Sequence, residues 1–318
     1  MLSLSDVEDA AAVVYAVMPP TPQYAWPLLA KRAGCEVWVK HENHTPTGAF
    51  KVRGGLVYMD RLKRTQADVA GVISATRGNH GQSIALAAAK VGVAATIVVP
   101  NGNSVEKNAA MRAFGAELVE AGHDFDSARV TAMQLAGERG LSMVPSFHRD
   151  LVCGVATYAL ELFRAAPPLD TVYVPIGLGS GICGVIAVRD ALGLATKVVG
   201  VVSTEAPAYA LSFAAGKVVA TNSADTMADG MAVRGPDQDA LNIILKGADR
   251  IVQVSDAEVA AAMRAYYEDT HQLTEGAGAA SLAALMQERE RFRGKRVGLI
   301  LSGGNIDRPL YLRALAGA

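Results

Sequence analysis

From Gly71 onward the chain alternates short β-branched runs with alanine-rich stretches of helical length. Parallel neighbouring strands cannot be joined by a hairpin and need a crossover of about a dozen residues, which such stretches supply. The alternation therefore predicts βα units. Val72-Ile73-Ser74 reads as a strand, Gln82 to Lys90 as a helix and Ala95 to Val99 as the next strand. Ser104 can cap a helix that begins at Val105 and ends near Gly115. A strand near Leu118, a helix across Asp126 to Gly140 and the run Ser142 to Val144 complete a first series. The second series begins with a helix over Val155 to Ala165 and the strand Thr171 to Ile176. A helix from Ile182 to Ala191 and a strand from Lys197 to Val202 follow. Helices over Asp256 to Tyr267 and Gly278 to Arg289 then precede the strand Arg296 to Leu301. Val219 to Pro236 lacks periodicity and reads as an extended connection. The expected fold class is α/β, with two open, mainly parallel sheets flanked by helices. A length of 318 residues suits two closely associated domains. With a boundary near Met143 to Arg149, residues 1–49 and 145–318 would form a larger unit and 50–144 a smaller one.

Composition narrows the class of partner. A hydrophobic share of 51%, a charged share of 19% and a formal net charge of -1 give no electrostatic reason to bind nucleic acid or an anionic membrane. A small molecule is the expected partner. Mean hydropathy is +0.21, yet no apolar run approaches the roughly 18 residues of a spanning helix. The start Met1-Leu2-Ser3-Leu4-Ser5-Asp6 carries no secretory pattern. Cys35, Cys153 and Cys183 are odd in number and far apart, which fits reduced thiols in the cytoplasm. Cys183 has no visible base partner and is expected to pack as a small apolar residue.

Four segments carry candidate chemistry. Pro175 to Gly184 places Gly177, Gly179 and Gly181 between a strand and a helix, an arrangement whose backbone N–H groups can converge on an oxyanion. A cofactor phosphate, the pyrophosphate of NAD and a tight turn all remain open at this point, although Glu205 is a poor match to the acidic residue NAD would need. Thr76-Arg77-Gly78-Asn79-His80-Gly81 also follows a strand and opens a helix. It can bind a second anion, such as an amino acid carboxylate, or serve only as a helix cap. Lys51 stands in His41-Glu42-Asn43-His44-Thr45-Pro46-Thr47-Gly48-Ala49-Phe50-Lys51, and Ser302-Gly303-Gly304-Asn305 lies near the far end. Together they offer an amine for an aldehyde, donors for a phosphate and a carboxylate, and a polar group for a pyridine nitrogen. Pyridoxal 5'-phosphate requires that set.

In these segments the chain resembles the fold-type II pyridoxal phosphate enzymes, of tryptophan synthase β-like fold, and among them the threonine dehydratase and serine racemase branch. The resemblance runs from Pro20 to Asn305. It implies that Lys51 joins the cofactor aldehyde and later removes the substrate Cα proton. Phe50 would pack on the cofactor ring and Asn79 would meet its 3-oxygen. Gly177, Gly179, Ser180, Gly181 and Ile182 would hold the phosphate, and Ser302 would meet the pyridine nitrogen. Glu275 matches an acidic position near the cofactor; it also reads simply as a first-turn helix charge. Thr76, Arg77, Gly78, Asn79 and His80 would form the substrate loop of the smaller domain. The larger domain would carry the cofactor.

The expected reaction is dehydration and deamination of a β-hydroxy amino acid, threonine or serine first, to a 2-keto acid and ammonia. Specificity for 3-hydroxyaspartate or 3-phenylserine, serine racemisation, threonine synthase-like replacement and a non-catalytic cofactor-binding protein are the alternatives. Arg77 stands where serine racemases carry an acid/base serine. A guanidinium cannot do that work. Arg77 would instead pair with a protein carboxylate or recognise a second carboxylate on the substrate. The spacing around Val202 to Ala208 does not fit the divalent-cation site of some relatives, so no metal is expected there. The chain ends soon after Asn305, without length for an appended regulatory domain, which points to a catabolic type. A homodimer is expected from the resemblance.

Overall fold

The computed structural model describes residues 2–317 and contains two sheets. The strands are β1 (Gln23–Ala25), β2 (Glu36–His41), β3 (Val72–Ala75), β4 (Ala95–Val99), β5 (Glu117–Glu120), β6 (Ser142–Met143), β7 (Thr171–Pro175), β8 (Lys197–Ser203), β9 (Arg250–Val254) and β10 (Arg296–Leu301). The larger sheet has the order β1-β2-β10-β7-β8-β9 and the smaller the order β5-β4-β3-β6. Every pairing is parallel except β1 with β2.

Helices cover both faces of the larger sheet, so its central strands are apolar at successive positions instead of alternating. In β7, Val172 and Val174 point to one side, where they meet Ile182, Val185 and Leu160. Tyr173 points to the other side, with Leu282, Leu285 and Phe292. In β10 the same alternation sends Leu299 and Leu301 to the second face and Ile300 to the first. Truncating one of these leucines to alanine should destabilise by about 2–5 kcal/mol. The smaller sheet packs Val72 and Ile97 against Ile84 and Met111 on one face, and Ile73 and Val98 against Ala128 and Ala132 on the other.

Several elements differ from the sequence reading. The helix expected from Gln82 begins at Asn79, and that expected from Val155 begins at Arg149. The helix Lys51–Thr65 has no counterpart in the sequence reading and carries Gly54 and Gly55 in its interior, where each glycine costs about 1 kcal/mol relative to alanine. Close packing explains both residues. A Cβ on Gly54 would lie 2.7 Å from the Leu151 carbonyl oxygen, and one on Gly55 would lie 2.2 Å from the Ser83 hydroxyl. The helix thus rests on both Asn79–Lys90 and Arg149–Ala165, one from each side of the boundary expected near Met143.

Arg53 pins this helix from within. Its guanidinium, fully buried, contacts Glu42 at 2.7 Å and Glu161 at 2.6 Å and also bonds Thr157 and Thr21. Lys40 reaches Glu161 at 2.6 Å, so two cations face two carboxylates with no solvent between them. The start of the Lys51 helix is therefore held to the turn that follows β2 and to Arg149–Ala165.

Candidate active site

At the C-terminal end of β7 the chain turns through Ile176 to Gly179 into the helix Ser180–Ala191. Gly179 has φ +102°, a backbone conformation that glycine adopts without penalty. A Cβ on Gly177 would come within 2.4 Å of the Gly230 carbonyl oxygen, so the loop tolerates no side chain there. No side chain caps the helix that follows, whereas Ser104, Asp124, Asp237 and Ser255 cap helices elsewhere. The first N–H groups of an α-helix have no partner within it. Around Ser180, Gly181 and Ile182 they are left for an anion. The loop carbonyls are occupied from outside, since Tyr209 donates to Leu178 at 2.8 Å and Tyr158 donates to Gly181 at 3.0 Å. Neither tyrosine was singled out from the sequence, because a hydroxyl serving a distant carbonyl leaves no local pattern.

Lys51 opens its helix at the edge of the same cavity, whose wall also includes Phe50, Asn79, Gly177 to Gly181, Glu275 and Ser302. The Phe50 ring stands edge-on to Tyr158 with centroids 6.0 Å apart, beside Gly181. The segment before Lys51 docks on the Ser302 loop. The Phe50 N–H donates to the Ser302 carbonyl at 3.0 Å, Ala49 bridges Gly303, and the Gly304 N–H donates to the Gly48 carbonyl at 2.9 Å. Ser302 is buried and lines the cavity.

The loop after β3 closes the opposite side. Thr76 Oγ1 accepts from the Gly78 N–H at 3.0 Å and the Gly81 N–H at 3.3 Å, so its hydroxyl caps its own loop and keeps only its O–H to offer outward. Gly78 makes room for Lys107, whose Cδ would lie 2.4 Å from a Cβ there. Asn79 donates to both oxygens of Glu275, at 2.8 and 3.1 Å, and its own oxygen accepts from Asn305 at 2.8 Å. Glu275 is accordingly more than a first-turn charge: it is buried and hydrogen-bonded into the cavity wall. Arg77, half-exposed, pairs with Asp229 at 3.0 Å, and Lys107 reaches the other oxygen of Asp229 at 3.1 Å. Asp229 lies in the aperiodic stretch that gave no sequence signal.

Burial sets the electrostatics. It pushes the Lys51 ammonium below its ordinary pKa, against the pull of Glu275 and Asp229, which favours a neutral amine. It raises the Glu275 carboxyl, opposed by Lys107 and the Asn79 amide. Burial also works against the Lys107 ammonium, but Asp229 and Glu275 outweigh it and hold that group above its usual value. Burial and then Lys51 push His80 down to about 3, so its imidazole is neutral, and its Nε2 has no protein partner. Cys183 is buried with its thiol turned to the Ala240 carbonyl and pushed up by burial, the state of a packing residue. Among the described residues no group of three His, Cys, Asp or Glu side chains is placed to hold a metal ion.

An amine with a depressed pKa, an uncapped helix start behind a glycine cradle that side chains would fill, and a buried hydroxyl on the same cavity suit a phosphorylated aldehyde. These residues fit pyridoxal phosphate. The profile of the family described as "Pyridoxal-phosphate dependent enzyme" matches residues 15–303. An L-threonine ammonia-lyase of Geobacter sulfurreducens is 38% identical over 279 residues, covering 87% of this chain and 69% of that protein. An L-threo-3-hydroxyaspartate ammonia-lyase of a Pseudomonas species is 34% identical over 316 residues, covering 99% of each chain. The processed form of threonine deaminase isoform 2 from Solanum lycopersicum superposes with a TM-score of 0.92 at 30% identity, covering 99% of this chain and 92% of that one.

Proposed function

We infer, for a chain that belongs to the pyridoxal-phosphate dependent enzyme family, that its reaction is the deamination of a β-hydroxy amino acid, threonine or serine, to a 2-keto acid and ammonia. The observation that carries this reading is Lys51, an amine with its ammonium form disfavoured, on a cavity that also has an uncapped glycine-cradled helix and the Ser302 hydroxyl. When bound, pyridoxal phosphate withdraws electrons from the Cα of an attached amino acid and makes its proton removable. Lys51 is the base that takes this proton, and burial, by disfavouring its ammonium form, shifts it toward that task. The N–H groups of Gly179, Ser180, Gly181 and Ile182 hold the phosphate, with Gly177 giving the backbone room to approach. Phe50 would pack on the ring and Asn79 would meet its 3-oxygen.

Ser302 partners the pyridine nitrogen. A hydroxyl there would hold a proton on the ring less firmly than a carboxylate would, so the cofactor, once bound, would supply a moderate rather than a strong electron sink. The O–H of Thr76 and the backbone N–H groups of Asn79 and His80 receive the substrate carboxylate, while the Gly78 N–H holds the Thr76 hydroxyl in place. The half-exposed Arg77, already engaged with Asp229, supports a second reading in which a substrate carboxylate takes the place of Asp229 and 3-hydroxyaspartate is the substrate. Keto acid and ammonia release should be measured on threonine, serine, 3-hydroxyaspartate and 3-phenylserine. Turnover of the first two supports the main reading; turnover confined to 3-hydroxyaspartate supports the second; release from none of them sinks both.

The chain is further proposed to act in the cytoplasm as a homodimer. Its three cysteines are unpaired and buried, which suits a reducing compartment. Leu28, Tyr267 and Leu312 are exposed on three helices, of which Asp256–Thr270 contacts the other two, and such exposed apolar side chains support contact with a second copy. A monomeric mass by analytical ultracentrifugation would remove the dimer from the proposal.

A further inference from the structure

Three elements remote in sequence meet at the amide of Asn79. Asn305, just past β10, donates from Nδ2 to the Thr47 carbonyl at 2.7 Å and to Asn79 Oδ1 at 2.8 Å. Asn79 in turn donates from Nδ2 to Glu275. An amide side chain is nearly symmetric in shape, so its direction must come from partners able to play only one part. Such a partner stands at the Thr47 end of this chain of bonds. The Thr47 carbonyl can only accept, which turns the NH2 of Asn305 toward it. The second N–H of Asn305 then requires an acceptor, and Asn79 supplies its oxygen. The NH2 of Asn79 is left facing the Glu275 carboxylate, which in its ionised form also only accepts.

The surroundings hold Asn305 in place. Gly48 has φ +67°, and a Cβ there would sit 2.6 Å from Asn305 Oδ1, so the amide occupies space that only a glycine leaves open. The Gly304 N–H to Gly48 carbonyl bond fixes the backbone just before it.

We propose that Asn305 is a positioning residue that fixes which way the Asn79 amide faces, so that Asn79 presents an N–H, and not its oxygen, to the ring oxygen of the cofactor. The proposal rests on the reading of Asn79 as the cofactor's partner. An NH2 carries two hydrogens; Nδ2 lies 2.8 and 3.1 Å from the two Glu275 oxygens, a pair that one hydrogen can share, which leaves the other for the cavity that Asn79 lines. The relay also couples the loop after β3 to the segment before Lys51 through a single side chain.

The test uses reconstituted holoenzyme of the wild type, Asn305→Ala, Asn305→Asp, Asn79→Ala and the Asn79→Ala/Asn305→Ala double variant. The readouts are cofactor dissociation by equilibrium dialysis and the visible absorbance of the bound cofactor, with circular dichroism to establish folding. Asn305→Ala frees the Asn79 amide to rotate and should weaken cofactor binding by about three- to tenfold. Asn305→Asp can donate to neither partner and would draw the Asn79 NH2 to itself, presenting oxygen to the ring. Its loss should exceed about tenfold and its absorbance band should move. In the Asn79→Ala background, Asn305→Ala should add less than about twofold, because a residue acting through Asn79 has nothing left to orient. If Asn305→Asp does not fold, the alanine variants decide alone. Folded Asn305 variants with wild-type affinity and spectrum overturn the proposal, as does a full additional loss in the double variant. A wild type that binds no cofactor overturns this proposal together with the proposed function. A wild type that binds through Lys51 while the Asn305 variants stay unchanged overturns this one alone.

Discussion

The Phe50 N–H donates to the Ser302 carbonyl at 3.0 Å, so the residue preceding the candidate imine-forming lysine is hydrogen-bonded to the candidate partner of the pyridine nitrogen. Two motifs at opposite ends of the chain are thereby held in register. A bond between main-chain groups survives exchange of either side chain, and substitutions at Ser302 should therefore alter chemistry before they alter geometry.

Lys51 should carry the cofactor. Borohydride reduction of the holoenzyme followed by peptide mapping is expected to find the pyridoxyl group on Lys51, and a label on a different lysine removes the assignment. Lys51→Ala keeps the glycine cradle and should retain phosphate-dependent cofactor binding while losing turnover by several orders of magnitude, as both the attachment point and the base are gone.

Much of this site was legible because its demands are local. Gly177 and Gly179 stand between β7 and a helix whose second residue is Gly181, and β7 is buried along its whole length because both its faces are covered. The strand β9, Arg-Ile-Val-Gln-Val at the sheet edge, has a mixed burial pattern and went unread. So did the helix Gln238–Gly247. Asp229, Lys107 and Asn305 were not assigned roles for a different reason. Each acts on a residue far away in sequence, and no periodicity or spacing encodes a contact between Lys107 and a loop more than a hundred residues later. Arg53 was equally silent, since a charged residue on a helix reads as solvated until its burial is seen.

Arg53→Ala should destabilise by about 3–5 kcal/mol, because it leaves Glu42 buried without its partner. The same network predicts a pH dependence. Burial opposes the Glu161 carboxylate, but Arg53 and Lys40 outweigh it and hold the carboxyl below its usual pKa. A group depressed on folding contributes stability that is fully present above its unfolded value of about 4.3 and is lost as pH falls through the lower folded value. Thermal melts of the wild type should hold steady down to about pH 5 and decline below it. In Arg53→Ala the contribution should be smaller and its loss should begin at higher pH. Parallel melting curves for the two proteins across this range would contradict the assignment.

Ser302→Asp tests the electronic role of the hydroxyl. A carboxylate beside the pyridine nitrogen favours its protonated form and should prolong the carbanion. Elimination should slow while solvent hydrogen exchange at Cα rises relative to it, measured by keto acid release and deuterium incorporation. Ser302→Ala should lower both without changing their ratio in that direction. If both variants match the wild type in both measurements, Ser302 does not act on the ring.

Arg77 decides between the two substrate readings. Its side chain is half-exposed and its ion pair with Asp229 is of the kind worth about 0–1 kcal/mol, so a substrate carboxylate would displace it at small cost. Asp229 would keep Lys107 as a partner. Under the main reading Arg77 is only a loop-edge pair, and Arg77→Ala should reduce kcat/KM for threonine and for 3-hydroxyaspartate together by less than about fivefold, in step with a small loss of stability. A charge-assisted contact to a bound carboxylate is typically worth about 1.5–3 kcal/mol, or roughly ten- to a hundredfold. A loss of that size for 3-hydroxyaspartate with threonine spared would transfer the assignment to the dicarboxylic substrate. Arg77→Lys separates charge from shape: it should leave the threonine reaction unaltered, and under the second reading it should restore only part of the 3-hydroxyaspartate activity, because an ammonium cannot reproduce the planar fork that guanidinium offers to a carboxylate.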